Sequence, residues 1–513
     1  MSTAGIVIFV ALFVLVTVVG FIAAHWRKGD LDQLYEWGLG GRRFGTIVSW
    51  FLLGGDLYTA YTLIAVPALV FGAGAIGFFA LPYALVAFVI GFVTLPRLWE
   101  VANRNGYVTA ADFVQGHFQS RTLGVLVAIT AIFATLPYLS LQLVGMEVAL
   151  AGLGLPTGAF SGDLPLIVAF LILAAYTYTS GLRAPAAISL VKDTLIYIVI
   201  IAAAVVIPAQ LGGYAHVFEL LPMDKKVLST GAHSTGAVGA YMTLALGSAM
   251  ALFLYPHATT GIFSAKSGRV VRRNMALLPI YTVLLGLVMM LGYFAYVSGV
   301  QHMPEYAAGF KAYGPNYAVV ALFLHSFPGW FAGVALAAVA IGALVPAAVM
   351  SIAAANLFAR NLYLPLRKNV TPREETLVAK LVSLGIKVGA IAFILLVPVE
   401  FAIQFQLLGG IWIIQLFPAL MLSLYVPWMR KEGLIAGWAV GTALGTWMAA
   451  AKGFSTAVFP LHLLGWTFPG YAALYSVIAN LVVTFLVSAL LIRFGKSGPP
   501  YQAAATHDSG VLA

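Results

Sequence analysis

The stretch Trp50-Phe51-Leu52-Leu53-Gly54-Gly55-Asp56-Leu57-Tyr58-Thr59-Ala60-Tyr61, followed by Pro67, sets a glycine pair and a carboxylic acid inside an apolar run. A carboxylate near the centre of a bilayer costs about 2.5–3.5 kcal/mol on insertion scales. Unwound backbone survives at membrane depth only where it lines a cavity or is buried in protein. The stretch therefore reads as a discontinuous helix. A second one, Leu254-Tyr255-Pro256-His257-Ala258-Thr259-Thr260-Gly261, interrupts another apolar run with Pro, His and two hydroxyls. The two lie five spans apart, and an odd number of spans inverts orientation, so the pair predicts two five-helix repeats of opposite topology.

That these runs sit in lipid follows from composition. Of 513 residues 62% are apolar and 9% charged, with a mean hydropathy of +0.98. A water-soluble domain with that balance would expose most of its apolar side chains. Spanning structures in lipid are helices or closed barrels, and runs of about 20 residues without alternation select helices. The expected fold is all-α and polytopic, with about thirteen transmembrane helices near 5–24, 45–72, 76–96, 122–150, 164–181, 190–210, 237–260, 275–299, 328–358, 380–399, 403–426, 433–452 and 472–493. Residues 1–494 form one transport domain and 495–513, rich in Pro and small residues, a disordered cytoplasmic tail.

With the N-terminus outside, 23 of the 27 Lys and Arg fall on the inside loops and inner span ends, and Lys225, Lys226, Lys311 and Lys452 are outside. This bias orients the chain N-terminus out and C-terminus in, and it accounts for the +10 net charge as topology rather than nucleic-acid binding. The absence of cysteine excludes disulfides and thiolate metal sites. The first apolar run lacks a basic n-region and a small-residue cleavage site, so it is expected to stay in the mature protein. Two outside loops, near 211–236 and 300–327, are candidates to cap a pathway.

Asp56 is the most informative residue: either it caps a half-helix or pairs with a neighbour, or it handles a coupling ion or substrate. His257 can donate to a substrate carboxylate or satisfy a carbonyl freed by Pro256. Tyr58, Tyr61, Gln142 and Tyr255 are candidates to line a substrate site with His257, Thr259 and Thr260. Arg183, Lys192 and Asp193 fall on or beside an inside loop, where charges collect anyway, and read as topology with a local ion pair. No paired acids, His cluster or Ser/His/Asp set lies at matched depth, so an enzyme and a cofactor are not expected.

The order and spacing of Gly181-Leu182-Arg183-Ala184 with Asp193, Tyr255-Pro256-His257 with the basic loop 266–273, Asn361-Leu362-Tyr363, and Trp428-Met429-Arg430-Lys431-Glu432-Gly433 resemble the sodium:solute symporter family. That resemblance covers nearly all the spans and implies the inverted-repeat fold of the leucine transporter. Within the family, Ser180-Gly181-Leu182-Arg183-Ala184-Pro185 and Val191-Lys192-Asp193 look most like bacterial monocarboxylate permeases of the inner membrane. The resemblance also implies a sodium ion held by carbonyls matching Gly54 and Leu57, by Gly342, and by a hydroxyl pair. Val345 and Pro346 stand where that pair is expected, and Ser351 is a nearby hydroxyl.

The resulting expectation is a symporter for small monocarboxylates such as lactate or pyruvate, whose partners are a small-molecule substrate, a coupling cation (H+ or Na+) and the lipid bilayer. Asp56 is expected to carry the cation. A sodium-coupled permease for an amino acid or vitamin, and a membrane sensor, are the competing readings.

Overall fold

The structure, a computed structural model, describes residues 1–26, 29–55, 57–155, 164–396 and 401–494. Asp56 and the tail 495–513 lie outside the described residues, so the expectations attached to them stand on sequence alone. Among the described residues, helix is present in each of the thirteen apolar stretches. Among the described residues ten helices are long and apolar enough to cross a membrane, and the number of crossings stays an expectation.

The principal helices are α1 (Thr3–Ile22), α2 (Thr46–Gly55), α3 (Val66–Ala73), α4 (Ala80–Arg104), α5 (Arg121–Gly152), α6 (Leu164–Ser180), α7 (Arg183–Gln210), α8 (Gly236–Ala251), α9 (Pro256–Phe263), α10 (Pro279–Val297), α11 (Gly329–Leu357), α12 (Pro372–Leu396), α13 (Ile403–Ile413), α14 (Lys431–Ala450) and α15 (Ala472–Arg493). Two helices contrast in what they face. The most apolar window of α1 is 22% buried and presents Val7, Val14 and Ile22 outward, as a lipid-facing helix does. That of α11 is 94% buried. Its run of Ala and Gly lets α1, α5, α7, α9 and α12 approach closely, the packing that serves where lipid removes the hydrophobic drive between helices.

Both predicted interruptions are present. α2 ends at Gly55, and the chain resumes through a wide π-helical turn, Tyr61–Ala65, into α3. α8 ends in a tight turn, Leu252–Leu254, then Tyr255 is extended (φ −60°, ψ 140°) and α9 starts at Pro256. A residue before proline is pushed out of the helical region, and proline at the first helical position leaves no N–H unpaired. The halves nearer the basic face are tied by backbone: Phe44 N–H donates to Ser264 O (3.2 Å) and Lys266 N–H to Phe44 O (2.9 Å), joining the start of α2 to the end of α9.

The opposite face carries an element that the helical reading did not include. Strands β1 (Val458–Leu463) and β2 (Trp466–Tyr471) pair antiparallel. Thr235 N–H donates to Thr467 O (3.1 Å), Thr467 N–H to His233 O (2.9 Å) and Tyr471 N–H to Thr243 Oγ1 (2.9 Å), so the hairpin grips the start of α8. On the same side the 211–236 segment reaches α3: Lys225 donates to the carbonyls of Phe71 and Gly72, and Tyr293 OH donates to Lys225 O (2.6 Å). From the 300–327 segment, the Phe310 ring stacks 5.9 Å from that of Phe71.

Candidate transport and coupling site

An interrupted helix frees backbone groups, and the first break can be accounted for group by group. Gly54 O accepts from Leu57 N–H (2.9 Å) and Tyr58 N–H (3.2 Å). Leu57 O accepts from the Thr62 hydroxyl. At the start of the second half, Ala60 N–H donates to Gln142 Oε1 (3.2 Å) from α5, and Tyr61 N–H to Thr59 Oγ1 (3.0 Å). Gly55 O and Tyr58 O both accept from one donor, Lys192 Nζ, at 2.5 and 2.8 Å.

Lys192 thereby corrects the sequence reading. It and Asp193 were expected on or beside an inside loop, as topology with a local ion pair; the pair is present, but both side chains are 0% exposed, on α7. They pair at 2.7 Å, and the other oxygen of Asp193 accepts from Tyr281 OH of α10 (3.1 Å). Tyr58 OH donates to Tyr281 O (2.5 Å). Arg183, likewise expected near a loop, is 1% exposed and pairs with Glu36, which Arg43 also meets at 2.8 Å. The glycine pair is explained by close approach. A Cβ on Gly54 would lie 2.2 Å from Tyr281 Cζ, and one on Gly55 2.9 Å from Lys192 Nζ. The carbonyls that accept from Lys192 are those of Gly55 and Tyr58, each next in the chain to Gly54 and Leu57.

The second break holds aromatics. His257, 1% exposed, sits with its ring 5.3 Å from those of Tyr138 and Tyr255. Tyr255 OH donates to Gln406 O (3.0 Å), and the Thr259 hydroxyl to Pro256 O (3.0 Å). Thr260 is buried on the same short helix. Buried polar atoms without a hydrogen-bonding partner among the described residues include Tyr61 Oη, Gln142 Nε2 and Gln406 Oε1. Leu57, Tyr58, Tyr61, Thr62, Tyr83 and Tyr281 line a narrow cavity between the first break and α10. Of the predicted substrate residues, Tyr58 falls on the Lys192 side of the first break; Tyr255, His257, Thr259 and Thr260 cluster at the second, and Tyr61 and Gln142 bracket the restart of the first.

The profile of the sodium:solute symporter family matches residues 37–441. This chain belongs to that family. It is a multi-pass membrane protein of a class that couples a small-molecule solute to a cation. It is 50% identical to the monocarboxylate transport permease protein of Rhizobium johnstonii, over 95% of this chain and 97% of that one. It is 32% identical to the uncharacterized symporter YodF of Bacillus subtilis, over 95% and 94%. Its fold matches that of a Na+-coupled sialic acid symporter in a substrate-bound outward-open state, with a TM-score of 0.76 and 13% identity, covering 95% of this chain and 98% of the other. The fold is therefore the leucine-transporter type that the family resemblance implied.

Against the ligand positions that the family resemblance implied, Gly342 does stand beside the first break: a Cβ there would be 3.2 Å from Leu63 Cδ1 and 4.0 Å from Tyr58 O. Val345 and Pro346 are buried and apolar, and the Ser351 hydroxyl donates to Ala348 O (2.9 Å) within its own helix. Sequence reasoning passed over Tyr281 and Gln406, and it named Lys192 and Asp193 as a local ion pair without placing them at the first break.

Proposed function

We propose that this protein is a secondary symporter that carries small monocarboxylates, such as lactate and pyruvate, across the bacterial inner membrane by alternating access. Its basic face is cytoplasmic and its N-terminus outside. The observation that carries the reading is the 50% identity, over 95% of the chain, to a relative named for monocarboxylate transport. Two features of the molecule support it. A monocarboxylate has one charge and few atoms, and it needs a small site with a few convergent donors. The Tyr61 hydroxyl and the Gln142 amide are buried donors beside the first break, while α9 directs the N-terminal end of a half-helix into the second. His257 and Thr260 complete the proposed carboxylate site. Tyr58, Tyr255 and Thr259, whose hydroxyls already donate to backbone, frame it.

The coupling group expected from sequence, Asp56 with the backbone at Gly54, Leu57 and Gly342, is retained as a proposal only in its location, the first break. Counterflow of radiolabelled lactate in proteoliposomes tests the substrate class. Inhibition by excess pyruvate and propionate is the expected result. Transport of an amino acid or of pantothenate, with no lactate counterflow, would overturn the reading.

A further inference from the structure

Three oxygens converge on one nitrogen at the first break. Gly55 O and Tyr58 O lie 2.5 and 2.8 Å from Lys192 Nζ, and Asp193 Oδ1 lies 2.7 Å from it. An ammonium donates and cannot accept; two of its N–H donors are taken by the carbonyls, and the adjacent carboxylate oxygen stands against it as a charge partner without a hydrogen bond. Two freed helix carbonyls and a carboxylate are also what a bound alkali cation would ask for. Here the cation is part of the chain. It differs from a metal ion in one respect, because it can discharge by releasing a proton, which an arginine cannot do.

We infer that Lys192 is the coupling group of this transporter: its ammonium occupies the cation position of the first break, and the ion moved with each monocarboxylate is the proton it binds and releases. The inference rests on the monocarboxylate reading above. Protonated, Lys192 clamps α7 to the end of α2 through Gly55 and to the restart of the helix through Tyr58. Once the proton leaves to water, the neutral amine still has two N–H donors for the two carbonyls, but those hydrogen bonds lose their charge assistance and the Asp193 carboxylate loses its cation, keeping the Tyr281 hydroxyl. The contact between α7 and the broken helix then weakens, which ties release of the proton to separation of the two elements. A ligand moves such an equilibrium only through its differential interaction with the two states, and this contact supplies one.

The groups around the ammonium are few. Asp193, Tyr58 and Tyr281 surround it, and the Tyr197 ring lies 5.8 Å from that of Tyr281. α1, α2 and α11, which pack on α7, carry no ionisable side chain. Tyr176 and Tyr178 of α6, with His25, stand toward the Arg183 end of α7. Tyr214 bonds Ala204 O, and His216 and His325 belong to segments packed at the Gln210 end. Asp56, next to Gly55 in the chain, is the rival carrier.

Proteoliposomes free of sodium, loaded at higher pH than the bath, test this. Wild type is expected to accumulate lactate about tenfold per pH unit, as one proton per monovalent anion requires. Lys192→Arg keeps a cation that cannot discharge, and Lys192→Met keeps the length without charge. Both are expected to lose at least tenfold in accumulation, while lactate counterflow, which needs no net cation movement, falls less. Lys192→Arg accumulating within twofold of wild type would overturn the inference, and loss in Asp56→Asn alongside would move the role to Asp56. Wild-type counterflow with accumulation that demands sodium and ignores the pH gradient would also overturn it, with no variant needed. Absence of lactate counterflow in wild type would instead remove the substrate reading, and this inference with it.

Discussion

The two interrupted helices solve the same problem with different chemistry. At the first, the freed carbonyls of Gly55 and Tyr58 meet a buried ammonium, and two glycines let Tyr281 and Lys192 come close enough to reach them. At the second, Pro256 removes a donor rather than pairing it, and the space is filled by the rings of Tyr138, Tyr255 and His257. One break is ionic, held from a neighbouring helix. The other is uncharged and held by packing. The proposed roles follow this asymmetry: the proposed ion carrier sits at the first break, and His257 and Thr260 of the proposed carboxylate site sit at the second.

The largest test of that division is Asp193→Asn. It leaves the Lys192 ammonium buried without its carboxylate, and removing one member of a buried pair destabilises by about 3–5 kcal/mol. Thermal unfolding in detergent should show it. The double variant Lys192→Met/Asp193→Asn should recover most of the loss, and a double variant as unstable as Asp193→Asn would mean that the pair is not what holds the first break. Gly54→Ala comes next. Its Cβ would lie 2.2 Å from the Tyr281 ring, an overpacking worth about 1–3 kcal/mol, and it should impair net uptake more than counterflow. Equal impairment of both would blur the distinction between the breaks. At the second break, His257→Ala is expected to weaken lactate affinity about tenfold, or roughly 1.4 kcal/mol, with the dependence on the driving ion unchanged. Unaltered affinity in binding or uptake curves would remove His257 from the site. The smallest effect belongs to Thr259→Val, whose hydroxyl already donates to Pro256 O; affinity should move by less than about twofold, and a larger shift would return Thr259 to the substrate.

Both interruptions were legible in the sequence, because Gly54-Gly55 and Tyr255-Pro256 violate helix chemistry inside apolar runs. The residues that fill them were only partly so. Tyr61, Gln142 and His257 could be picked as polar side chains at span depth. Lys192 could not be placed, because a span's end is uncertain by several residues and a cation near an end reads as a loop. Which carbonyls meet Lys192 was beyond reach too: that Gly55 O and Tyr58 O do so, while Leu57 O is taken by the Thr62 hydroxyl, depends on how the chain turns between the two half-helices. The hairpin at 458–471, with Pro460 facing Pro469, alternates too weakly to stand out between two helices.

That hairpin bears on how the protein is made. Thr467 exchanges backbone hydrogen bonds with Thr235 and His233 at the start of α8. A ribosome adding roughly 5–20 residues per second needs on the order of 10–50 s to travel from one to the other. For that interval α8 is in the membrane without the strand that fastens it, and α9 beyond the break already has Phe44 to dock against. The second interrupted helix is therefore assembled from its basic end, and its other half is locked only once the hairpin has been made.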